Sequence, residues 1–287
     1  MLNLMYITND PAVARIAEQS GVDRIWVDME FIGKSVRQGG MDTVQLHHTI
    51  DDIRAIRAAV SRAEVLVRVN PIHEATADYG DSAWEIPAAI DAGADVVMLP
   101  FFKTAEEVKT FLRLADGRAK TMLLVETPEA VERIDEILAL DGVDEVHIGL
   151  NDLSLGYGMK FMFQLLADGT VERLCLKCRE KGIPYGFGGI AALGKGMLPA
   201  ERVIREHYRL GSTRAILSRS FCNTSIVKDL SQIDQIFRGG MAEIRALERE
   251  CAQFAPDADY FRDNRREVER AVDQICAAIA EKEHYST

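Results

Sequence analysis

The strongest constraint on the fold of this 287-residue chain is the alternation of short apolar runs with helical patterns. Eight runs have the length and composition of buried strands, and helical segments separate them. The strand-like runs are residues 2–8, 24–30, 65–69, 95–100, 122–126, 143–148, 185–190 and 214–218. Eight strands alternating with helices over roughly 220 residues predict a (β/α)₈ TIM barrel, which we place at residues 1–225.

Residues 226–287 carry two further helical patterns, at 231–251 and 259–281. Because a closed barrel needs no further strands or helices, these residues are predicted to form a C-terminal helical extension. The pattern at 259–281 is highly charged and has few apolar residues on one side, so one interpretation is that this helix faces solvent. We expect the extension to pack on the barrel or on a neighbouring subunit.

Three long segments follow strands two, three and six, at residues 32–48, 72–82 and 153–169. Loops of this length in a compact domain are usually functional or disordered. Since all three follow strand ends, they are expected to lie over the same mouth of the barrel. The third contains Met159, Phe161, Met162 and Phe163, which are predicted to form an apolar lid or a dimer contact.

The composition narrows the partners and the compartment. A net charge of -11 and a pI near 5.1 argue against nucleic acid or an anionic membrane as the main partner. No window approaches 18 apolar residues, and the first residues read as a strand and a helix rather than a secretion signal. Five cysteines, including Cys175 and Cys178 in one helical pattern, are interpreted as packed thiols of a reducing compartment. We therefore expect a cytoplasmic protein.

Two acids at successive strand ends are the main candidates for chemistry. Glu126 ends the fifth strand-like run, and Asp152 follows the sixth. Because one helical segment separates the two runs, they are expected to be parallel neighbours with both carboxylates at the carboxyl edge. Two carboxylates with open positions for water and substrate suit Mg²⁺ or Mn²⁺. The alternative is that both acids cap helices, as Thr127 and Pro128 after Glu126 suggest.

Three more charged residues lie at strand ends. Asp28 and Glu30 are two apart on strand two and share one side of it, while Arg68 ends strand three. A barrel core is apolar, so these groups need a metal, its waters or a substrate as partners. Arg68 offers a planar fork to a carboxylate or an enolate. The alternative is a local salt-bridge network.

In this order, the motifs VDME, VRVNP, IPAAIDAGADVVMLP, VETPEAVERIDEIL and IGLNDLSLGYG resemble the HpcH/HpaI aldolase family. That family comprises metal-dependent pyruvate aldolases related to the citrate lyase β subunit and to 2-keto-3-deoxyglucarate aldolase. The resemblance covers about residues 1–225. It implies a phosphoenolpyruvate/pyruvate-type barrel and a homo-oligomer, either a dimer or a trimer of dimers, that exchanges its final helix.

The resemblance also implies roles for individual residues. Glu126 and Asp152 would bind Mg²⁺ or Mn²⁺, and Arg68 would hold the keto oxygen and stabilise the enolate. The backbone amides around Leu150, Asn151 and Asp152 would receive the pyruvate carboxylate. Asp28 and Glu30 would order the waters of the metal. The expected reaction cleaves a 2-oxo acid to pyruvate and an aldehyde, or joins them.

One residue departs from the family pattern. Phe31 follows Glu30 where the family usually has a histidine that acts as general base, and a phenyl ring cannot transfer a proton. The substitutes considered are a metal-bound water or one of His47, His48 and His73. His147 alternates with apolar strand residues. We interpret it as a packed core residue or as one that contacts the site residues without touching the ligand.

The sequence is also compatible with two other functions. A lyase acting on a citrate-, malyl- or citramalyl-type CoA thioester would need cations for the CoA phosphates, for which Lys34, Arg37 and Arg219 are candidates. A barrel that binds a metal carboxylate without turnover is the other alternative, and Phe31 supports it. A Schiff-base mechanism is disfavoured because no strand interior contains a lysine.

Overall fold

The computed structural model describes residues 1–33 and 48–285. Eight parallel strands pair in sequence order, and β1 pairs with β8 to close the barrel. The strands are β1 Asn3–Ile7, β2 Arg24–Asp28, β3 Glu64–Arg68, β4 Val96–Leu99, β5 Lys120–Val125, β6 Glu145–Ile148, β7 Tyr185–Ile190 and β8 Arg214–Leu217. The prediction of a (β/α)₈ TIM barrel is confirmed, with strand bounds within two residues of those expected.

Helices fill the connections and extend beyond the last strand. In the described part of the chain they are α1 Pro11–Gln19, α2 Ile50–Ala59, α3 Ser82–Asp91, α4 Ala105–Ala115, α5 Pro128–Glu132, α6 Ile134–Ile137, α7 Leu150–Gly156, α8 Gln164–Ala167, α9 Thr170–Glu180, α10 Ala200–Leu210, α11 Leu230–Cys251 and α12 Asp259–Tyr285. Local signals explain several starts. Thr49 and Thr104 each form a capping box with the acid three residues on.

Two apolar cores follow from the alternation of side chains along the strands. One face of each strand packs against the helices, while the other face points into the barrel. The inner core consists of Met5, Trp26, Leu66, Val96, Met98, Met122 and Leu124, all at most 2% exposed. Side chains thus fill the barrel, and a cavity can open only where the strands end.

An ion cluster closes the end of the barrel where the strands begin. Arg24 binds Glu145 at 2.5 and 2.7 Å, and Arg214 binds the same carboxylate at 2.7 and 2.8 Å. Arg24 also contacts Glu64 at 2.6 Å. Burial raises the pKa of Glu145, but the two arginines outweigh it and lower the pKa to about 2. This end of the barrel is therefore held by buried charge pairs, and the chemistry is expected at the other end.

The long segment after strand six is not the open loop that we expected. Residues 153–169 include most of α7 and all of α8. Phe161 and Phe163 are buried in the main core with their ring centroids 5.4 Å apart, and Met162 lines a cavity at the barrel mouth. Phe161 and Phe163 are therefore part of the core, while Met162 lies where a lid would, and the predicted lid or dimer contact stays a prediction.

The C-terminal helices pack on the barrel of the same chain. α11 lies against α1 and α10, and α12 lies against α8 and α10. Phe237, Met241 and Ile244 of α11 are buried in the same core as the barrel helices. Within the described residues, no helix combines the length and the apolar character needed to cross a membrane.

Candidate active site

A cavity of about 370 Å³ opens where the strands end. Six of the seven predicted site residues line it, namely Asp28, Arg68, Glu126, Leu150, Asn151 and Asp152. Glu30, the seventh, is fully buried and is not among the described residues that line the cavity. Tertiary packing therefore brings together side chains that are up to 124 positions apart in the sequence (Asp28 and Asp152).

Glu126 is held in place by the backbone around it. Its Oε1 accepts a hydrogen bond of 3.0 Å from the Phe101 amide, and Phe101 adopts a left-handed conformation at φ 49°. The next residue, Thr127, donates to the Phe102 carbonyl at 2.7 Å and caps α5. The predicted cap at this strand end is therefore formed by Thr127, which leaves the Glu126 carboxylate directed to the cavity lining.

Gly149 makes room for that carboxylate. A Cβ atom at this position would lie 2.8 Å from Glu126 Oε2 and 2.9 Å from Glu126 Cβ. Such distances are shorter than ordinary van der Waals contact, so a side chain here would displace Glu126. The glycine between β6 and α7 is thus required by the strand-five acid beside it.

Asp152 lies in the first turn of α7 and is 8% exposed. Gly149 is the N-cap of this helix, and no described side chain caps it. Leu150, Asn151 and Asp152 of this first turn line the cavity, and the contact between their amides and a substrate carboxylate stays a prediction.

The donor set fits a hard divalent ion. Both Glu126 and Asp152 line the cavity, and carboxylate oxygens are the ligands that Mg²⁺ and Mn²⁺ prefer. Among the side chains that the structure describes, no group of three or more His, Cys, Asp or Glu residues is arranged to hold a metal. An ion bound here would take two protein carboxylates, with water and substrate as its other ligands.

Arg68 forms a buried ion cluster with the two acids of strand two. Its Nε and Nη2 donate to Asp28 at 2.8 and 2.7 Å, and its Nη1 lies 3.2 Å from Glu30 Oε2. Burial alone would lower the pKa of Arg68, but the charges of Asp28 and Glu30 raise it above the ordinary value. The hydrogen bonds to Asp28 use two of the five N–H donors of a guanidinium, so the group can still donate to a ligand oxygen.

A second buried network fixes the residues after strand two. The Asn70 side-chain carbonyl accepts hydrogen bonds of 2.9 Å from the amides of both Phe31 and Ile32. Asn70 in turn donates to Glu85 on α3 at 2.7 Å, and burial raises the pKa of Glu85. The Phe31 ring packs edge-on to Tyr79 with centroids 5.0 Å apart. Phe31 therefore contributes to a packed wall, and it does not line the cavity of the described structure.

The predicted substitute bases differ in position. The Asp28 amide donates to His48 Nδ1 at 2.9 Å. Both ring nitrogens of His73 lie within 3.0 Å of backbone carbonyls, and His73 is not among the described residues that line the cavity. His47 lies outside the described residues. His147, which we interpreted as a packed or supporting residue, is buried as expected but also lines the cavity.

The segment after strand eight forms one wall of the cavity, of which we had predicted only Arg219 as a ligand-binding residue. Ser218, Arg219 and Asn223 line the cavity, as do Tyr6 and Trp26 from the first two strands. The polar run SRSFCNTS directly after a strand could have indicated this wall. The sequence did not identify Tyr6 and Trp26 as cavity residues, because aromatic residues in strands usually belong to the core. Arg219 was a candidate for CoA phosphates, and the other two candidates, Lys34 and Arg37, lie outside the described residues.

The cysteines are free thiols. Cys175 and Cys178 are buried in α9, and burial raises the pKa of both. A raised pKa keeps a thiol protonated and unreactive at neutral pH. These observations agree with the interpretation of packed thiols.

Comparisons of the sequence with known proteins agree with the family resemblance noted above. The family model described as HpcH/HpaI aldolase/citrate lyase matches residues 3–185. A hydroxypyruvate/pyruvate aldolase of Roseovarius nubinhibens is 24% identical over 209 residues, which covers 62% of this chain and 73% of that protein. The 4-hydroxy-4-methyl-2-oxoglutarate aldolase cghB of Chaetomium globosum is 22% identical over 214 residues, covering 63% and 72%.

Solved structures share the fold. An HpcH/HpaI aldolase from Desulfitobacterium hafniense superposes with a TM-score of 0.59 at 19% identity, covering 82% of this chain and 93% of that one. The citrate synthase SbnG gives a TM-score of 0.57 at 16% identity, covering 81% and 92%. At these identities the likeness concerns the fold alone.

Proposed function

Since the chain belongs to the HpcH/HpaI aldolase/citrate lyase family, we propose that it is a divalent-metal-dependent aldolase that acts on a 2-oxo acid. It would cleave that acid to pyruvate and an aldehyde, or join the two, through the enolate of pyruvate. Relatives named hydroxypyruvate/pyruvate aldolase support pyruvate or a close analogue as the 2-oxo acid. We also propose that the protein is a homo-oligomer, a dimer or a trimer of dimers, as the family resemblance implies, and that it is cytoplasmic, as its free thiols suggest.

The observation that carries this proposal is the placement of Glu126, Asp152 and Arg68 around one cavity. Glu126 and Asp152 would hold Mg²⁺ or Mn²⁺. Such an ion, when bound, supplies Lewis acidity that favours negative charge on the keto oxygen of a chelated 2-oxo acid.

The protein's own groups bind and orient the substrate. Arg68 donates N–H groups to the keto oxygen, whose negative charge grows as the carbon–carbon bond breaks. The amides of Leu150, Asn151 and Asp152 in the first turn of α7 receive the substrate carboxylate. Asp28 and Glu30 hold the Arg68 fork in one orientation, so that little reorganisation is needed during the reaction.

Methyl proton exchange of pyruvate tests the proposal. The protein is incubated with pyruvate and Mn²⁺ in D₂O, and deuterium incorporation is followed by NMR after the metal has been removed. Enolate formation predicts exchange by the unaltered protein and at least about 100-fold slower exchange in Glu126→Gln and Asp152→Asn.

Glu106→Gln is the matched control, because Glu106 is exposed on α4 and pairs with Lys109. It should exchange at the wild-type rate. Absence of exchange by the unaltered protein, with pyruvate binding confirmed by calorimetry, would favour the non-catalytic barrel. Full exchange by Glu126→Gln or Asp152→Asn would refute the metal site.

A further inference from the structure

His147 occupies an unusual place in the barrel. It lies on β6 two residues after Glu145 and two before Gly149, which directly follows the strand, and this spacing of two places Glu145 and His147 on the same inward face. Glu145 belongs to the ion cluster at the closed end, and Gly149 adjoins Glu126 at the open end. His147 is 0% exposed and lines the cavity. Its imidazole therefore lies at the floor of the proposed active site.

The hydrogen bonds of His147 define its tautomer. Its Nε2 lies 3.1 Å from the Gly188 carbonyl, which can only accept, so Nε2 carries the proton. The other nitrogen, Nδ1, is then an acceptor with a lone pair. Nδ1 is buried and has no hydrogen-bond partner within the described structure. Buried polar atoms are nearly always paired, so this one indicates a ligand or water.

The other described imidazoles do not combine an unpartnered ring nitrogen with a place in the cavity lining. His48 Nδ1 receives the Asp28 amide, and His73 is bonded through both nitrogens. His207 Nε2 is also buried without a partner within the described structure, but this ring stacks on Phe187 with centroids 3.8 Å apart and is not among the described residues that line the cavity. Among the histidines whose side chains the structure describes, His147 alone lines the cavity.

We propose that His147 is the proton acceptor of the aldol reaction, an inference that rests on the proposed function above. In the cleavage direction, Nδ1 takes the proton of the substrate C4 hydroxyl, directly or through one water. The C3–C4 bond breaks, C4 becomes the aldehyde carbonyl, and the electron pair forms the pyruvate enolate. The imidazolium then returns the proton to C3, which becomes the methyl group of pyruvate. The steps balance without an oxidant, a reductant or a co-reactant.

The burial of the ring suits this cycle. Desolvation lowers the pKa of His147 to about 4, so the ring is neutral at pH 7 and its Nδ1 can accept a proton. Once protonated, the buried imidazolium is a stronger acid than an exposed one, which favours return of the proton to the enolate carbon.

Two reactions that form the same enolate separate a proton role from a structural one. Exchange of the pyruvate methyl needs a base, whereas oxaloacetate yields the enolate by losing CO₂ and needs no proton acceptor. The experiment measures both rates with Mn²⁺ and takes the ratio of exchange to decarboxylation. We expect that ratio to fall at least about 10-fold in His147→Phe.

His147→Asn and His207→Phe complete the comparison. The asparagine amide keeps an acceptor near the position of Nδ1 but cannot hold a proton, so its ratio should fall as far as that of His147→Phe. His207→Phe removes a buried imidazole away from the cavity, and its ratio should stay within about twofold of wild type. A wild-type ratio in His147→Phe or His147→Asn would overturn the proton role.

A measurement on the unaltered protein does not depend on the folding of a variant. In ¹⁵N-histidine-labelled protein with Mg²⁺, addition of oxalate should shift an unprotonated imidazole nitrogen that belongs to His147. No shift would contradict contact between His147 and the ligand site. Failure of the wild type to exchange or to decarboxylate would instead refute the proposed aldolase function.

Discussion

Replacement of Gly149 by alanine tests whether this glycine shapes the carboxylate of Glu126. The added Cβ would lie 2.9 Å from Glu126 Cβ, 2.8 Å from its Oε2 and 3.2 Å from Leu124 Cδ1. Carbon atoms in contact are about 3.5–4.0 Å apart, so Glu126 or the start of α7 must move by at least about 0.6 Å. Gly149 has φ -83°, which alanine tolerates, so the expected effect is steric and not conformational.

The size of that movement sets the expected loss. Metal ligands tolerate deviations of about 0.2 Å, so a shift of about 0.6 Å should weaken Mn²⁺ binding by about 10- to 100-fold. That change corresponds to about 1.4–2.7 kcal/mol. Crowding of the packed strand end should also lower the free energy of unfolding by about 1–3 kcal/mol.

Electron paramagnetic resonance of free Mn²⁺ measures the affinity, and urea unfolding measures the stability. Gly239→Ala is the matched control, because a Cβ at Gly239 of α11 meets nothing within 4 Å. Alanine in a helix interior should stabilise that variant by about 0.5–1 kcal/mol without changing Mn²⁺ binding. Wild-type Mn²⁺ affinity in Gly149→Ala would refute the argument that Gly149 positions Glu126.

Three further changes test the networks around the site and at the closed end of the barrel. Arg68→Lys removes the planar fork that binds Asp28 and Glu30, so urea unfolding should show a loss of about 2–4 kcal/mol, and unchanged stability would contradict the ion cluster. Asn70→Ala removes the acceptor of the Phe31 and Ile32 amides. Hydrogen–deuterium exchange of these two amides, followed by mass spectrometry, should therefore become faster. Asn264→Ala, which removes a hydrogen bond far along the chain, should leave their exchange unchanged. Glu145 has a pKa of about 2 in the fold against an ordinary 4.5, so its stabilisation is complete above pH 4.5 and is lost as the pH falls towards 2. This stabilisation by Glu145 is on the order of 3 kcal/mol. Between pH 4.5 and pH 2 the free energy of unfolding should therefore fall less steeply for Glu145→Gln than for the wild type. Parallel curves of unfolding free energy against pH for the two proteins would disprove this.

Several features of the site could be predicted from local patterns. Glu126, Asp152 and Arg68 directly end or follow apolar runs, and the carboxyl ends of parallel strands meet at one edge. The barrel itself follows from the same alternation, because one-sided helices and fully apolar strands can bury their faces only against each other. These conclusions need only neighbouring residues and the fixed geometry of strands.

Other features depend on contacts between distant parts of the chain. Glu30 pairs with Arg68 and is not among the described residues of the cavity lining. Nothing in the sequence separates it from Asp28, because the two residues are two positions apart and were expected on the same side of the strand. The role of Gly149 follows from the atoms of Glu126 on the neighbouring strand.

The amino-acid sequence by itself therefore determined the order of strands and helices and the edge at which the acids gather, since periodicity and strand direction are local properties. The tertiary structure decided which charges neutralise one another and which polar atoms, such as His147 Nδ1, stay without a partner in the described structure. Ion pairing and burial depend on distances of a few ångströms between strands that are far apart in sequence, and no local pattern encodes those distances.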